Sequence, residues 1–398
     1  MTTDPTSAAA AWSADLDLDA AIDQLVARDE VELPPYPAVA LRIERLVGGG
    51  DFGLDELARL VASDQALAAD CLRCANSATF VRGEPVSTLP GAVARIGAGE
   101  LSRIAFASAL GARALGAGPL SVLRRRVWHD GVAAAVLARE LARARGLKPD
   151  EAFACGLLHD FGKVLAIECL ERIARGARHP RPMPARFWEA VVDAHHLRLG
   201  TLLARRWSLP RVLADAITLH HEIGTAGAEQ PALLAVVSLC DRLVRLLDER
   251  SSVGEADVAA VQTLSEADTE ALIRGIEVVP GFVAAFERDT PPSSASLLEP
   301  LAPPPYRAPP RAVRVRVQGS EFVVTGFAKD QLVLRGPHPL PEGALLEVTV
   351  LEAPSVTFHA RVMVCFDAPG GTGVVLMPFA LGGPALRRWQ GMTALAEG

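Results

Sequence analysis

Between Thr290 and Pro310 the chain carries eight prolines, and the spacing of apolar residues differs on the two sides of that segment. So much proline removes backbone donors and fixes φ, which prevents helix or sheet and favours an extended, semi-rigid spacer. On the N-terminal side apolar residues recur at intervals of three and four, as in Leu54, Leu57, Leu60 and Val61. On the C-terminal side they alternate, as in Val313, Val315 and Val317. A helical period and a strand period cannot share one element, so the chain divides into a helical unit and a β unit.

The helical pattern runs from Leu18 to about Arg288. We divide it into a tail (1–20) read as disordered, an N-terminal helical part (21–120) and a second part (121–289). Val132, Val136, Leu137 and Leu141 mark one helix, which Gly146 stops; Pro149 and Asp150 open the next, with Asp150 expected as its N-cap. Residues 290–306 form the linker, and 307–398 the β unit. There Leu346, Val348 and Val350 alternate with Glu347 and Thr349. Phe358, Ala360, Val362, Val364 and Phe366 make a longer run, and Val374–Met377 precedes a short helix around Pro384–Gln390. Several short strands with Gly and Pro turns predict a small antiparallel barrel or sandwich.

Composition limits the function. A net charge of −7 argues against direct nucleic-acid binding, which needs a basic surface to neutralise phosphates. The first twenty residues hold Asp4, Asp15, Asp17 and Asp19 and no basic group, unlike a secretory signal. The apolar stretch Leu101–Leu120 is broken by Arg103 and Arg113, so no membrane insertion is expected, and six scattered cysteines suit a reducing cytoplasm. Cys71 and Cys74 form a CxxC inside a helical run, where core packing is the simpler role.

Most of the nine histidines fall in one helical region. They are His129 after Trp128, His159 followed by Asp160 in Gly-Leu-Leu-His-Asp-Phe-Gly-Lys163, the pair His195 and His196, and the pair His220 and His221; Asp241 follows. Imidazole nitrogens and carboxylate oxygens suit zinc, manganese or iron, and a bundle can aim several at one interior point. The first candidate set is His129, His159, Asp160 and Asp241. Lys163, four residues after His159, is placed to neutralise a phosphate. His195 reads as a satisfied core or surface histidine, and His179 as a loop residue.

The order of these residues resembles the HD superfamily of metal-dependent phosphohydrolases. Leu33-Pro-Pro-Tyr-Pro37, Ser63-Asp-Gln-Ala-Leu67, Cys71-Leu-Arg-Cys-Ala-Asn-Ser-Ala78, Ser87-Thr-Leu89 and Trp207-Ser-Leu-Pro210 look more closely like the HDOD domain, over roughly Leu18–Glu249. That resemblance implies a bacterial signalling output module with an HD-type helical fold and no established catalysis. It also implies one ion on His129, His159, Asp160 and Asp241, and a second on His196, His220 and His221. Were the chain an enzyme, Asp160 and Lys163 would be its catalytic residues. It departs from the cyclic-dinucleotide phosphodiesterases of the superfamily in lacking Gly-Tyr-Pro after Glu222 and in having Arg125 four residues before His129.

Arg307 and Arg311 form an RxxxR at the start of the β unit, two guanidiniums able to grip phosphates. With the Gly326–Pro341 and Gly373–Phe379 stretches, residues 307–392 resemble a PilZ domain, a family that binds cyclic di-GMP through RxxxR and a second motif, [D/N]xSxxG. That second motif falls on Gly326, Ala328 and Gln331, where all three signature residues are missing, which argues against cyclic di-GMP. The sequence thus predicts an all-α HD-type bundle followed by a small antiparallel barrel. The expected role is regulatory: the bundle serves as output or protein-interaction platform, the barrel as sensor or adaptor. A metal-dependent phosphohydrolase and a non-enzymatic cyclic-di-GMP receptor are the alternatives.

Overall fold

The computed structural model describes residues 17–50, 52–77, 80, 83–177, 182–222, 232–249, 264–287, 296–299, 301–309, 312–328, 331–352, 355–379 and 389. His179, Arg311, Ala380–Arg388 and the segment after Glu222 that lacks Gly-Tyr-Pro lie outside them.

The helical unit opens with α1 (Leu18–Ala27), α2 (Ala38–Gly48), α3 (Leu54–Ala62), α4 (Gln65–Asn76), α5 (Leu89–Ile96) and α6 (Ala98–Ala114). The helix α1 starts within the stretch expected to be tail, capped by the Asp17 carboxylate accepting from the Ala20 amide. In α4 the Cys71 and Cys74 side chains are fully buried, as core packing requires, and burial pushes the Cys71 thiol up to about 12. The second part comprises α7 (Ser121–Ala144), α8 (Pro149–Leu158), α9 (Phe161–Gly176), α10 (Ala185–Arg206), α11 (Arg211–Leu219), α12 (Ala232–Glu249) and α13 (Glu266–Ala284). Asp150 does not cap α8. Lys148 takes the cap position, Pro149 the first turn, and the Asp150 carboxylate instead meets the Arg103 guanidinium. Proline suits that place because its missing N–H would have no helical partner there.

Two glycines of the His-Asp segment set how closely these helices pack. A Cβ on Gly156 would lie 2.7 Å from the Ala135 Cα, so α8 rests directly on α7. A Cβ on Gly162 would collide with the His196 carbonyl oxygen, so α9 and α10 touch backbone to backbone. That contact brings His196 alongside Asp160.

The β unit is a closed barrel of β1 (Val313–Val317), β2 (Ser320–Ala328), β3 (Gln331–Gly336), β4 (Leu345–Val350), β5 (Val356–Ala368) and β6 (Gly371–Pro378), ordered β1-β2-β3-β6-β5-β4 and closed by β4 on β1. All pairings are antiparallel. Val315, Val317, Phe322, Leu334, Val348, Phe358 and Leu376 are among the side chains that fill it. Alternation did not reveal β2 and β3. A register shift between Val324 and Gly326 interrupts one, and Leu332, Val333 and Leu334 are all buried in the other.

The proline-rich segment is not free along its length. Leu297 is buried among the helices, its amide donates to the Pro119 carbonyl, and its carbonyl accepts from the Met183 amide and the Trp188 indole. Burying a leucine in this way contributes roughly 2 kcal/mol. No helix among the described residues is long and apolar enough to cross a membrane.

The Gly162 contact yields a direct test. Because the clash is with backbone, no rotamer change relieves it, and Gly162→Ala is expected to cost about 3 kcal/mol. Gly99→Ala has open space around its Cβ and should be neutral or slightly stabilising. Thermal and denaturant midpoints of the two variants compare them.

Candidate metal centre

The centre is assembled from helix ends and helix faces around Asp160. His159 closes α8 and Asp160 opens α9, so the two lie at the break between consecutive helices, 2 % and 6 % exposed. His196 comes from α10, His220 and His221 from the end of α11, and Asp241 from α12. Two groups of ligand atoms result, each with its atoms within 4.8 Å of one another: Asp160 with His196, His220 and His221, and His159 with Asp160 and Asp241. Asp160 belongs to both.

The imidazoles are oriented by the backbone. His159 Nδ1 faces the Gly156 carbonyl at 2.7 Å, His196 Nδ1 the Asp193 carbonyl at 2.7 Å, and His220 Nδ1 the Ala216 carbonyl at 3.0 Å. A carbonyl can only accept, so each Nδ1 carries the proton and each Nε2 is turned inward; metal-binding histidines are fixed in the same way. The Nε2 atoms of His159, His196 and His220 lie 3.4, 3.5 and 3.3 Å from Asp160 oxygens, and His159 Nε2 is 3.5 Å from Asp241 Oδ1. Among the described residues, His159 Nε2, Asp160 Oδ1 and His220 Nε2 are buried without a hydrogen-bond partner. Orphaned buried polar atoms are costly. Ligands about 2.1 Å from a tetrahedral ion stand roughly 3.4 Å apart, so these spacings fit a shared cation.

Charge within the centre is balanced by protons and by Lys163. Lys163 Nζ sits 2.8 Å from Asp160 Oδ2 and 3.1 Å from Asp193 Oδ1. Burial pushes the Asp160 carboxyl up, but the charges of His159 and then Lys163 hold it well below the usual range. Burial alone would lower His159; Asp160 and then Asp241 more than offset it and raise the imidazole to about 10. Burial, reinforced by His220, lowers His221 to about 4. Asp241 is held anionic by His159 against burial, and its Oδ2 accepts from Arg245 at 2.8 Å.

The remaining expected residues lie elsewhere. His129, 1 % exposed, is in neither ligand group; its Nε2 stands 2.7 Å from Glu287 Oε1, with Arg125 on the other Glu287 oxygen. His195 pairs with Asp19 at 2.7 Å, the satisfied histidine the sequence suggests. Arg307 is exposed and joins the barrel through two backbone hydrogen bonds with Phe327, of 3.0 and 2.9 Å. The ring of Tyr306 lies so close over Gly326 that a side chain there would collide with it, where the PilZ motif has Asp or Asn. Sequence reasoning missed Asp193, Arg245 and Glu287. The first two carried a signal, three residues before His196 and four after Asp241. Glu287 carried none, since its charged partners His129 and Arg125 are 158 and 162 positions away.

Comparison with known proteins agrees with this architecture. A family model for the HDOD domain matches residues 33–223, which form an HDOD domain within the helical part of the chain. An uncharacterized protein of Treponema pallidum (strain Nichols) is 28 % identical over 228 residues, 54 % of this chain and 43 % of that protein, so the chain spans less than half of that relative's length. A structure from Shewanella amazonensis SB2B, provisionally named a metal-dependent phosphohydrolase, superposes with a TM-score of 0.51 at 19 % identity, over 68 % of this chain and 98 % of that one. An HDOD domain protein of unknown function from Geobacter sulfurreducens gives 0.48 at 25 % identity, over 68 % and 96 %.

His159 supplies a pH test. Its pKa is raised on folding, so its contribution to stability is complete below its unfolded value, about 6.5, and is lost as pH rises towards about 10. An NMR titration of the metal-free protein should find the His159 ring protonated at pH 8. In Asp241→Asn its pKa should fall by at least one unit.

Proposed function

We propose that the chain is a bacterial signal-transduction regulator. In this reading the HDOD bundle, organised around a divalent-metal centre, is an output or protein-interaction platform, and the barrel is a PilZ-like sensor or adaptor. The observation that carries the proposal is the convergence on Asp160 of three inward Nε2 atoms, two of them without a hydrogen-bond partner among the described residues. His159, Asp160 and Asp241, with His196, His220 and His221, would hold zinc, manganese or iron. When bound, the ion supplies positive charge against the two buried carboxylates.

The enclosure of the centre favours regulation over turnover. His159, Asp160, His196, His220 and Asp241 are all buried, and Lys163 is committed to Asp160 and Asp193. A phosphoester would have to displace those ion pairs to use the ammonium. Signals reach such a bundle more readily through its surface, by partner proteins or a nucleotide on the barrel.

A metal-dependent phosphohydrolase is the second reading. It draws on the exposed His221 at the rim of the ligand group and on the partial exposure of Lys163. In it Asp160 would hold the ion that lowers the pKa of a bound water, and Lys163 would steady the substrate's charge. A non-enzymatic cyclic-di-GMP receptor has only the exposed Arg307 in its favour, together with Arg311.

Calorimetric titration of the purified, demetallated chain with Mn²⁺ tests the leading proposal. We expect saturable binding that Asp160→Asn weakens at least a hundredfold while circular dichroism is unchanged. Absence of binding by the folded wild type removes the metal centre. Metal-dependent phosphodiester hydrolysis abolished by Asp160→Asn would favour the second reading. For cyclic di-GMP we expect no hydrolysis, and weak, salt-sensitive binding lost in Arg307→Ala, because exposed charge attraction is screened within about 8 Å at physiological salt.

A further inference from the structure

Glu287 joins three parts of the molecule in one carboxylate. It lies three residues past the end of α13, with a side chain 11 % exposed. Its Oε1 stands 2.7 Å from His129 Nε2 of α7 and accepts from the Leu345 amide of β4 at 2.8 Å. Its Oε2 takes Nη1 of Arg125, one helical turn before His129. The barrel reaches the same face of α7 in two further places. Arg361 of β5 is buried, lies over the Phe379 ring and stands 3.8 Å from the Asp130 carboxylate. At Gly343, with φ +78°, a Cβ would press on Val122 Cγ1 at 3.1 Å. Leu345 and Phe379 bury their side chains in the helical core.

The barrel is thus docked along the turns of α7 that carry Val122, Arg125, His129 and Asp130. A few residues further on, Ala134 and Ala135 of the same helix back against Gly156, three residues before His159. His129 is a buried imidazole whose Nδ1 has no partner among the described residues and whose Nε2 stands 2.7 Å from an acid that also holds the barrel, an ion-pair contact without hydrogen-bond geometry.

We propose that Glu287 is a latch coupling the docking of the barrel to the His/Asp centre. With the barrel docked, His129 stays on Glu287, outside both ligand groups. When the barrel leaves, Glu287 loses the Leu345 amide and its enclosure, and His129 is released to join His159, Asp160 and Asp241 as a further ligand. Coupling of this kind is reciprocal: whatever frees the barrel strengthens metal binding, and metal that recruits His129 loosens the barrel. The inference rests on the metal reading above for its second half only; the docking contacts stand by themselves.

The experiment uses the full chain and Mn²⁺ alone, with two readouts: the free-ion EPR signal for affinity, and hydrogen exchange of amides 343–346 for docking. Glu287→Gln removes charge from the latch while keeping its shape. Gly343→Ala strains the positive φ and wedges the barrel from its own side, touching no ligand, so it serves even if the first variant folds poorly. Each is expected to speed exchange at 343–346 at least tenfold and to tighten Mn²⁺ binding at least tenfold. Adding His129→Ala should abolish the tightening but not the faster exchange, and saturating Mn²⁺ should speed the same amides in the wild type. Unchanged exchange in both variants overturns the latch. So does faster exchange with unchanged Mn²⁺ affinity while the wild type binds the ion. Faster exchange with no Mn²⁺ binding by any variant overturns the metal reading and the coupling together, leaving only the docking role of Glu287.

Discussion

A buried carboxylate is expensive, and Asp160 is surrounded by the means of offsetting that cost. Removed from water, its charge is tolerable only where donors or cations stand close on several sides. Lys163 supplies one within the same helix turn, and His159 another, protonated through its contacts with Asp160 and Asp241. The imidazoles of His196 and His220 arrive from two further helices. The packing of α8 to α12 follows from this requirement, because each helix delivers a group to the same point. The glycines at 156 and 162 then read as positional necessities, removing the Cβ atoms that would hold α8 off α7 and α9 off α10.

Much of the fold was legible in the sequence, for a simple reason. Helical and strand periods report burial on one face, and the change of period across the prolines separated bundle from barrel without any long-range information. The His-Asp pair was legible because it stands at the end of an apolar helical run, a place with no ordinary reason to hold charge. What local pattern cannot carry is the identity of distant partners. The proline segment read as a spacer, yet Leu297 fastens it to Pro119, Met183 and Trp188. Asp150 looked like a helix cap but is drawn to Arg103, a choice made by tertiary packing. The order of the histidines placed His129 with the ligands, whereas the structure sets it against Glu287, whose approach depends on where α13 ends.

The two domains are connected by more than a covalent link. The barrel has its own filled interior, so its strands do not need the bundle for their core. Its outer contacts nevertheless reach charged groups of the bundle, where Arg361 stands 3.8 Å from Asp130 of α7 and the Leu345 amide donates to Glu287, just past α13. Buried polar contacts of this kind add little net stability, because desolvation offsets most of their attraction. The chain thus places an enclosed polar centre and a docked barrel on one helical bundle.

The central claim is that the groups around Asp160 form a cation site rather than a network completed by protons alone. Crystals soaked in Mn²⁺, with diffraction measured near the manganese absorption edge, test it most directly. The account predicts an anomalous peak within bonding distance of an Asp160 oxygen and of at least one inward Nε2 among His159, His196 and His220. A well-ordered bundle with these side chains in the same arrangement and no peak there at saturating Mn²⁺ would contradict it.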